Sequence, residues 1–192
     1  MFKFKNKQEV REFVWKKLKE SNECLFPCYG KIPNFKGVEK TILKVLESEE
    51  FKKSKRIFIS PDTPQRILLN FVNLNEKEVY IATPRLKQGF IKVTINSANL
   101  VKVLESGLKI DNLPRIDFAL IGSVAVDVKG NRIGKGGGYG DREIKILREG
   151  NQKIIIATNV HDLQVFDDLS YLIEKHDEKV NLIFTPTKVI YC

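Results

Sequence analysis

Between Asp127 and Arg142 the chain reads Asp-Val-Lys-Gly-Asn-Arg-Ile-Gly-Lys-Gly-Gly-Gly-Tyr-Gly-Asp-Arg, and six of its 12 glycines fall between Gly130 and Gly140. Two cations (Arg132 and Lys135), one ring (Tyr139) and one carboxylate (Asp141) are interleaved with them. An apolar run from Ile116 to Val126 precedes the glycines and predicts a buried strand. The segment Arg142–Leu147 after them can continue as a helix. A strand, a glycine loop and a helix start in that order can cradle an anion. Glycine amides approach a phosphate with no Cβ in the way and accept positive φ, and the helix N-terminus adds a favourable dipole. Gly134, Gly136, Gly137, Gly138 and Gly140 would offer the amides, Arg132 and Lys135 the charge, and Asp141 a hard oxygen suited to Mg²⁺. The loop is not a Walker A motif, because no Gly-Lys is followed by Ser or Thr, and it does not satisfy Gly-x-Gly-x-x-Gly. A flexible surface turn between two elements is the competing reading.

Other residues that could do chemistry are sparse. Lys7 and Arg11 lie four apart on a predicted helix, on the side away from Val10, Val14 and Leu18, and read as a solvated basic face. The only two histidines, His161 and His176, are each followed by an aspartate, Asp162 and Asp177. A His-Asp metal hydrolase needs more ligands than these. His161 follows a predicted strand and is placed near a ligand or, alternatively, bonded to its neighbour. Arg85 sits on a loop after a strand, where it either grips a substrate carboxylate or stays exposed. Tyr139 can stack on a planar ring or cover the phosphates. Trp15, beside Val14, reads as core.

The elements that must position these groups alternate between strand and helix. Helices are predicted over 7–20, 38–48, 64–73 and 97–106. Strands are predicted over 55–60, 78–82, 90–95, 116–126, 153–157, 182–185 and 189–191. Alternation of this kind implies a mainly parallel sheet covered on both faces, with ligand-binding loops at the strand C-terminal ends. The segments after Ala82, Val126, Ala157 and Thr185 would converge there. No internal repeat or low-complexity linker interrupts the chain, so one domain over 1–192 is expected.

Lys and Arg total 33 against 24 Asp and Glu, a formal charge of +9, which favours anionic partners without choosing among nucleotide, small polyanion and nucleic acid. No apolar run reaches the ~18 residues of a membrane span. The start, Met1-Phe2-Lys3-Phe4-Lys5, lacks the apolar core of a signal peptide. The three cysteines are odd in number and form no Cys-x-x-Cys pair, so a zinc site or disulfide framework is not expected. Cys24 and Cys28, flanking Leu25-Phe26, read as buried free thiols, and the cytoplasm as the compartment.

The stretch Gly130-Asn131-Arg132-Ile133-Gly134-x-Gly136-x-Gly138-Tyr139-x-Asp141-Arg142 resembles the ATP-binding signature of the 5-formyltetrahydrofolate cyclo-ligases, or methenyltetrahydrofolate synthetases. Further ordered matches extend the resemblance over nearly the whole chain. They include Ile32-Pro33-Asn34-Phe35-Lys36-Gly37, Pro61-Asp62-x-Pro64-Gln65, Thr83-Pro84-Arg85-Leu86, Val160-His161-Asp162-x-Gln164-Val165, His176-Asp177 and Thr185-Pro186-Thr187. They are closest to the methenyltetrahydrofolate synthase domain-containing branch.

The resemblance implies a single three-layer α/β/α domain of the NagB/RpiA/CoA-transferase-like kind. It implies ATP- and Mg²⁺-dependent cyclisation of a formyl-pterin to the 5,10-methenyl form, with release of ADP and phosphate. Lys7 and Arg11 would reach the triphosphate with Arg132 and Lys135. Asp141 and Asp177 would hold Mg²⁺, and Arg85, Tyr139 and His161 would meet the substrate.

Three positions depart from the family. Gly140 replaces a second tyrosine, Val126 replaces a phenylalanine, and the folate-contacting Glu has only Glu39 as a loose match. The alternative is a non-catalytic nucleotide- or RNA-binding protein that keeps the fold. The aromatic pattern of an RNA-recognition module is missing.

Overall fold

The computed structural model describes residues 3–192. In chain order the helices are α1 (Lys7–Glu20), α2 (Val38–Glu47), α3 (Glu49–Lys53), α4 (Thr63–Arg66), α5 (Leu100–Ser106) and α6 (Tyr139–Gly150). The strands are β1 (Arg56–Ile59), β2 (Glu78–Ala82), β3 (Phe90–Lys92), β4 (Leu108–Ile110), β5 (Phe118–Leu120), β6 (Ala125–Asp127), β7 (Arg132–Ile133), β8 (Ile155–Asn159), β9 (Val165–Phe166), β10 (Leu182–Phe184) and β11 (Val189–Tyr191). Eight of them form one sheet in the order β11-β10-β8-β5-β1-β2-β3-β4. The five strands from β10 to β2 run parallel, and the antiparallel pairs lie at the two ends. The expectation of a mainly parallel α/β sheet is therefore borne out.

Side-chain alternation divides the sheet between two cores. Ile57, Ile59, Val79, Ile81, Phe118 and Leu120 pack on one face with Ile42 and Val45 of α2, Phe51 of α3 and Val103 of α5. Phe58, Tyr80, Ala119, Ile156 and Ile183 pack on the other with Ile144 and Leu147 of α6. A third cluster joins α1, through Val10, Val14, Trp15 and Leu18, to Val124, Ala125 and Ile133 beside a small sheet in the order β7-β6-β9.

Two expectations are corrected here. The apolar run 116–126 is two strands in two sheets, because the chain breaks at Gly122 and Ser123. A Cβ on Gly122 would lie 2.8 Å from Asp62 Oδ2, and Ser123 Oγ pairs with Thr158 Oγ1 at 2.9 Å. An apolar run does not show where a chain leaves one sheet for another. Cys24 and Cys28 are not free thiols. They form a disulfide, their Cα atoms 6.3 Å apart, which lies within bridging reach. Cys28 is buried, 6% exposed, in the cluster around α1, with Cys24 packed against it, so only the free-thiol part of the expectation fails.

Candidate active site

A cleft of about 1000 Å³ opens between the C-terminal ends of β1 and β5, the glycine loop before α6, the start of α1 and the 174–177 loop. Asn6 caps α1 by accepting from the Glu9 N–H at 3.0 Å. Val10, Val14, Trp15 and Leu18 are buried, which fixes the rotation of α1. Lys7 and Arg11 consequently line the cleft, so the reading of a merely solvated basic face is corrected.

Arg11 Nε donates to the Gly134 carbonyl at 2.7 Å, and a Cβ on Gly136 would lie 3.5 Å from the Arg11 guanidinium carbon. Lys7 Nζ donates to Asp177 at 2.5 Å and to Glu174 at 2.6 Å. Burial alone would lower the Lys7 pKa, but these two carboxylates outweigh it and raise it. Burial lowers the Arg11 pKa, opposed by Asp177 and Asp141.

The glycine loop differs from a simple strand–loop–helix. β6 first turns at Gly130 (φ +81°) into β7, and only then do residues 134–138 lead into α6. Gly130 belongs to that hairpin, where a Cβ would lie 2.3 Å from the Val180 carbonyl oxygen. The loop proper carries positive φ at Gly136 and Gly138. Gly138 caps α6 without any side-chain hydrogen bond, which leaves the first amides of the helix without a side-chain acceptor. Tyr139 starts the helix, with Arg142 over its ring at 5.6 Å.

Arg132 lies beneath the loop and is 2% exposed. It donates from Nη1 to the Gly122 carbonyl at 2.8 Å and from Nη2 to Asp141 Oδ1 at 2.8 Å. Its Nε is buried without a partner among the described residues. Lys135 reaches across the cleft to Asp62 Oδ1 at 2.8 Å.

Asp141 and Asp177 both line the cleft, as do Glu174 and His176. One ligand atom from each of Glu174, His176 and Asp177 falls within 4.8 Å of the others. Burial raises the Asp177 pKa, but the Glu174 N–H and the Lys7 ammonium outweigh it and hold the carboxyl below its ordinary value. Carboxylates beside an open anion cradle are the donors that Mg²⁺ takes. The unclaimed amides of α6 fit an incoming phosphate.

Not every expected residue reaches this cleft. His161 is not among the described lining residues; its Nδ1 accepts from the Leu163 N–H at 3.1 Å and its ring meets Phe35 edge-on. Arg85 lies on a single 3-10 turn, Pro84–Leu86, and its side chain falls outside what is described. Glu39 is exposed on the first turn of α2. Trp15 is core as expected, its Nε1 donating to the Lys31 carbonyl at 2.9 Å.

Four lining residues, Ser60, Asp62, Glu143 and Glu174, were not singled out from the sequence for chemistry. Glu143 carried a usable signal. It precedes Ile144 on the buried face of α6, where a carboxylate is out of place. Burial pushes its pKa up to about 7, with the Ser60 hydrogen bond opposing.

A profile of the 5-formyltetrahydrofolate cyclo-ligase family matches residues 3–186. The chain is 34% identical over 203 residues to a methenyltetrahydrofolate synthase domain-containing protein of Bos taurus, and 32% identical over 203 residues to one of Homo sapiens. Each alignment covers 96% of this chain and 53% of the relative, so the chain spans about half the length of these curated relatives. The solution structure of Aquifex aeolicus 5,10-methenyltetrahydrofolate synthetase matches with a TM-score of 0.62 at 22% identity, over 96% of this chain and 92% of that one. A 5,10-methenyltetrahydrofolate synthetase from Mycoplasma pneumoniae matches with a TM-score of 0.58 at 16% identity, over 93% and 97% respectively. At these identities the two structures establish a shared fold.

Proposed function

The chain belongs to the 5-formyltetrahydrofolate cyclo-ligase family, a family of ligases, and from that premise we propose that residues 1–192 act as one domain that cyclises 5-formyltetrahydrofolate, or a related formyl-pterin, to the 5,10-methenyl form at the expense of ATP. The observation that carries this reading is the meeting of α1 with the glycine loop. Lys7 and Arg11, more than 120 residues away in sequence, stand beside amides that no side chain occupies.

The reaction needs little acid–base chemistry. The formyl oxygen attacks the γ-phosphoryl group and ADP leaves. N10 then adds to the activated carbon and gives up its proton, and phosphate departs as the ring closes. Phosphoryl transfer asks chiefly for positioning and charge neutralisation. The amides of Gly136–Gly140, Lys7, Arg11 and Lys135 supply these at the triphosphate. Arg132 works from below, holding Asp141 in place and adding charge. Asp141 and Asp177, with Glu174 beside them, would hold Mg²⁺, which supplies charge neutralisation to the phosphates. Tyr139 is placed to cover the bound ligands. Arg85 remains a proposed contact for the substrate tail. His161 is assigned to the support of its own loop.

Lys7 and Lys135 are bound to acids here, and each keeps at least one N–H donor for a phosphate when nucleotide enters. Among the described residues no helix is long and apolar enough to cross a membrane. The cytoplasm is the proposed setting, where the Cys24–Cys28 pair would be exposed to thiol reductants. No observation favours the RNA-binding alternative.

The experiment is absorbance in the methenyl band after mixing 5-formyltetrahydrofolate with Mg·ATP and protein. Growth of the band that requires all three supports the proposal. A flat trace from folded protein contradicts it.

A further inference from the structure

Five carboxylates line the cleft, namely Asp62, Asp141, Glu143, Glu174 and Asp177. Four of them are held in ion pairs: Asp62 by Lys135, Asp141 by Arg132, and Glu174 and Asp177 by Lys7. Glu143 has no ion pair among the described residues, although the residue is only 5% exposed. Among the described residues its side chain's one hydrogen bond comes from Ser60 Oγ to Oε2 at 2.9 Å. Among the described residues Oε1 accepts no hydrogen bond, yet it is not among the sealed, unpartnered atoms, and Glu143 lines the cleft.

A carboxyl group in a core-facing helical position is costly unless something satisfies it. Ile144 and Leu147 on the same face of α6 are buried in the apolar core. The scaffold meets this cost without a direct ion pair, since Arg132 and Lys135 act on Glu143 only from a distance while paired with Asp141 and Asp62, and phosphates cannot use an acceptor. What suits Oε1 is a neutral hydrogen-bond donor delivered by the other ligand.

We propose that Glu143, steadied by Ser60, is a specificity-determining residue that accepts hydrogen bonds from the donor edge of the substrate's heterocycle, an aminopyrimidinone with adjacent ring N–H and amino groups. The identity of the substrate rests on the function proposed above. The choice of edge follows from the cleft. The reacting formyl group must face the glycine loop, and an anionic tail must lead out to solvent. The edge opposite the tail is then the part that descends to the cleft's most buried carboxyl. Two adjacent donors match the two oxygens of one carboxyl group.

The test is calorimetric binding of 5-formyltetrahydrofolate, and of its 2-desamino analogue, to the full chain and to Glu143→Gln and Ser60→Ala. Glutamine keeps the shape but presents an N–H₂ where an acceptor is required. The expected result is a 10- to 100-fold weaker Kd for 5-formyltetrahydrofolate in Glu143→Gln, with Mg·ATP affinity within twofold of the parent. The parent discriminates against the desamino analogue and the variant does not. Ser60→Ala shows a smaller loss of the same kind.

Equal binding by parent and Glu143→Gln overturns the inference. So does a matching loss of Mg·ATP affinity, which marks Glu143 as structural only, and so does a parent that binds no aminopyrimidinone at all. A parent that binds the pterin and discriminates at the 2-amino group, but forms no methenyl product, keeps the inference and removes the proposed reaction.

Discussion

Arg132 and Asp141 meet in a 2.8 Å ion pair beneath the glycine loop that separates them, and Gly140 is what leaves room for it. A Cβ at residue 140 would lie 2.9 Å from Arg132 Nη2 and 3.2 Å from its Cζ. The guanidinium has nowhere to retreat, because it is 2% exposed and its other end is bound to the Gly122 carbonyl. The glycine that departs from the family's second tyrosine thus has a local physical reason. Gly140→Ala is expected to cost about 1–2 kcal/mol of stability, within the usual range for a strained substitution, and to weaken Mg·ATP binding. Denaturant midpoints and calorimetry measure the two effects. An alanine variant equal to the parent in both shows that Arg132 moves freely.

Asp141 has two duties that separate variants can part. It accepts from Arg132 and from the Glu178 N–H at 3.1 Å, and it is a proposed Mg²⁺ ligand. Asp141→Asn retains acceptors for both bonds while losing the charge. It is expected to keep the circular-dichroism spectrum and the melting temperature within a few degrees, and to lose Mg·ATP-dependent turnover. Turnover near the parental rate would remove Asp141 from the metal site.

Arg11 is expected to contact phosphate with the part of its guanidinium not used on Gly134. Arg11→Ala should weaken Mg·ATP binding about 10- to 100-fold, matching the ~1.5–3 kcal/mol of a hydrogen bond to a charged group. Arg11→Lys should recover only part of this, since an ammonium cannot hold both the carbonyl and a phosphate in one plane. Nucleotide affinity unchanged in Arg11→Ala excludes the contact.

His161 gives the pH dependence. Burial lowers its pKa below the ordinary 6.5, opposed by Glu23 and Asp162. The neutral ring is also required by the Leu163 N–H donated to Nδ1. A base whose folded pKa is depressed contributes stability that is complete above the unfolded value and is lost as pH falls below it. Stability referred to His161→Gln should therefore decline as pH drops from about 6.5 towards 5. A difference that stays constant over that interval would show that the ring protonates as readily in the folded chain as in the unfolded one.

The fold was largely legible because its signals are local. β2 spans Glu78–Ala82 and α1 ends at Glu20, as the apolar spacing predicts. Apart from the Cys24–Cys28 disulfide, which joins near neighbours, the failures are cases where distant residues decide. The break at Gly122 is enforced by Asp62 and Ile32, which are far away in sequence. Strands β7 and β9, of two residues each, exist only because β6 lies between them.

The site divides in the same way. The glycine loop announced itself, but the placement of Lys7 and Arg11 needed the burial of Val10 and Val14 to turn α1. The Lys135–Asp62 pair and the lone carboxyl of Glu143 are products of packing, which spacing along one chain does not encode.

The most direct measurement is calorimetric titration of magnesium–ATP into the folded protein, with Arg11→Ala as the control. A saturable heat at one site, much reduced in the variant, is the result this account predicts. No heat from well-folded parental protein, or equal heat from both, would contradict the placement of a nucleotide between α1 and the loop at Gly136.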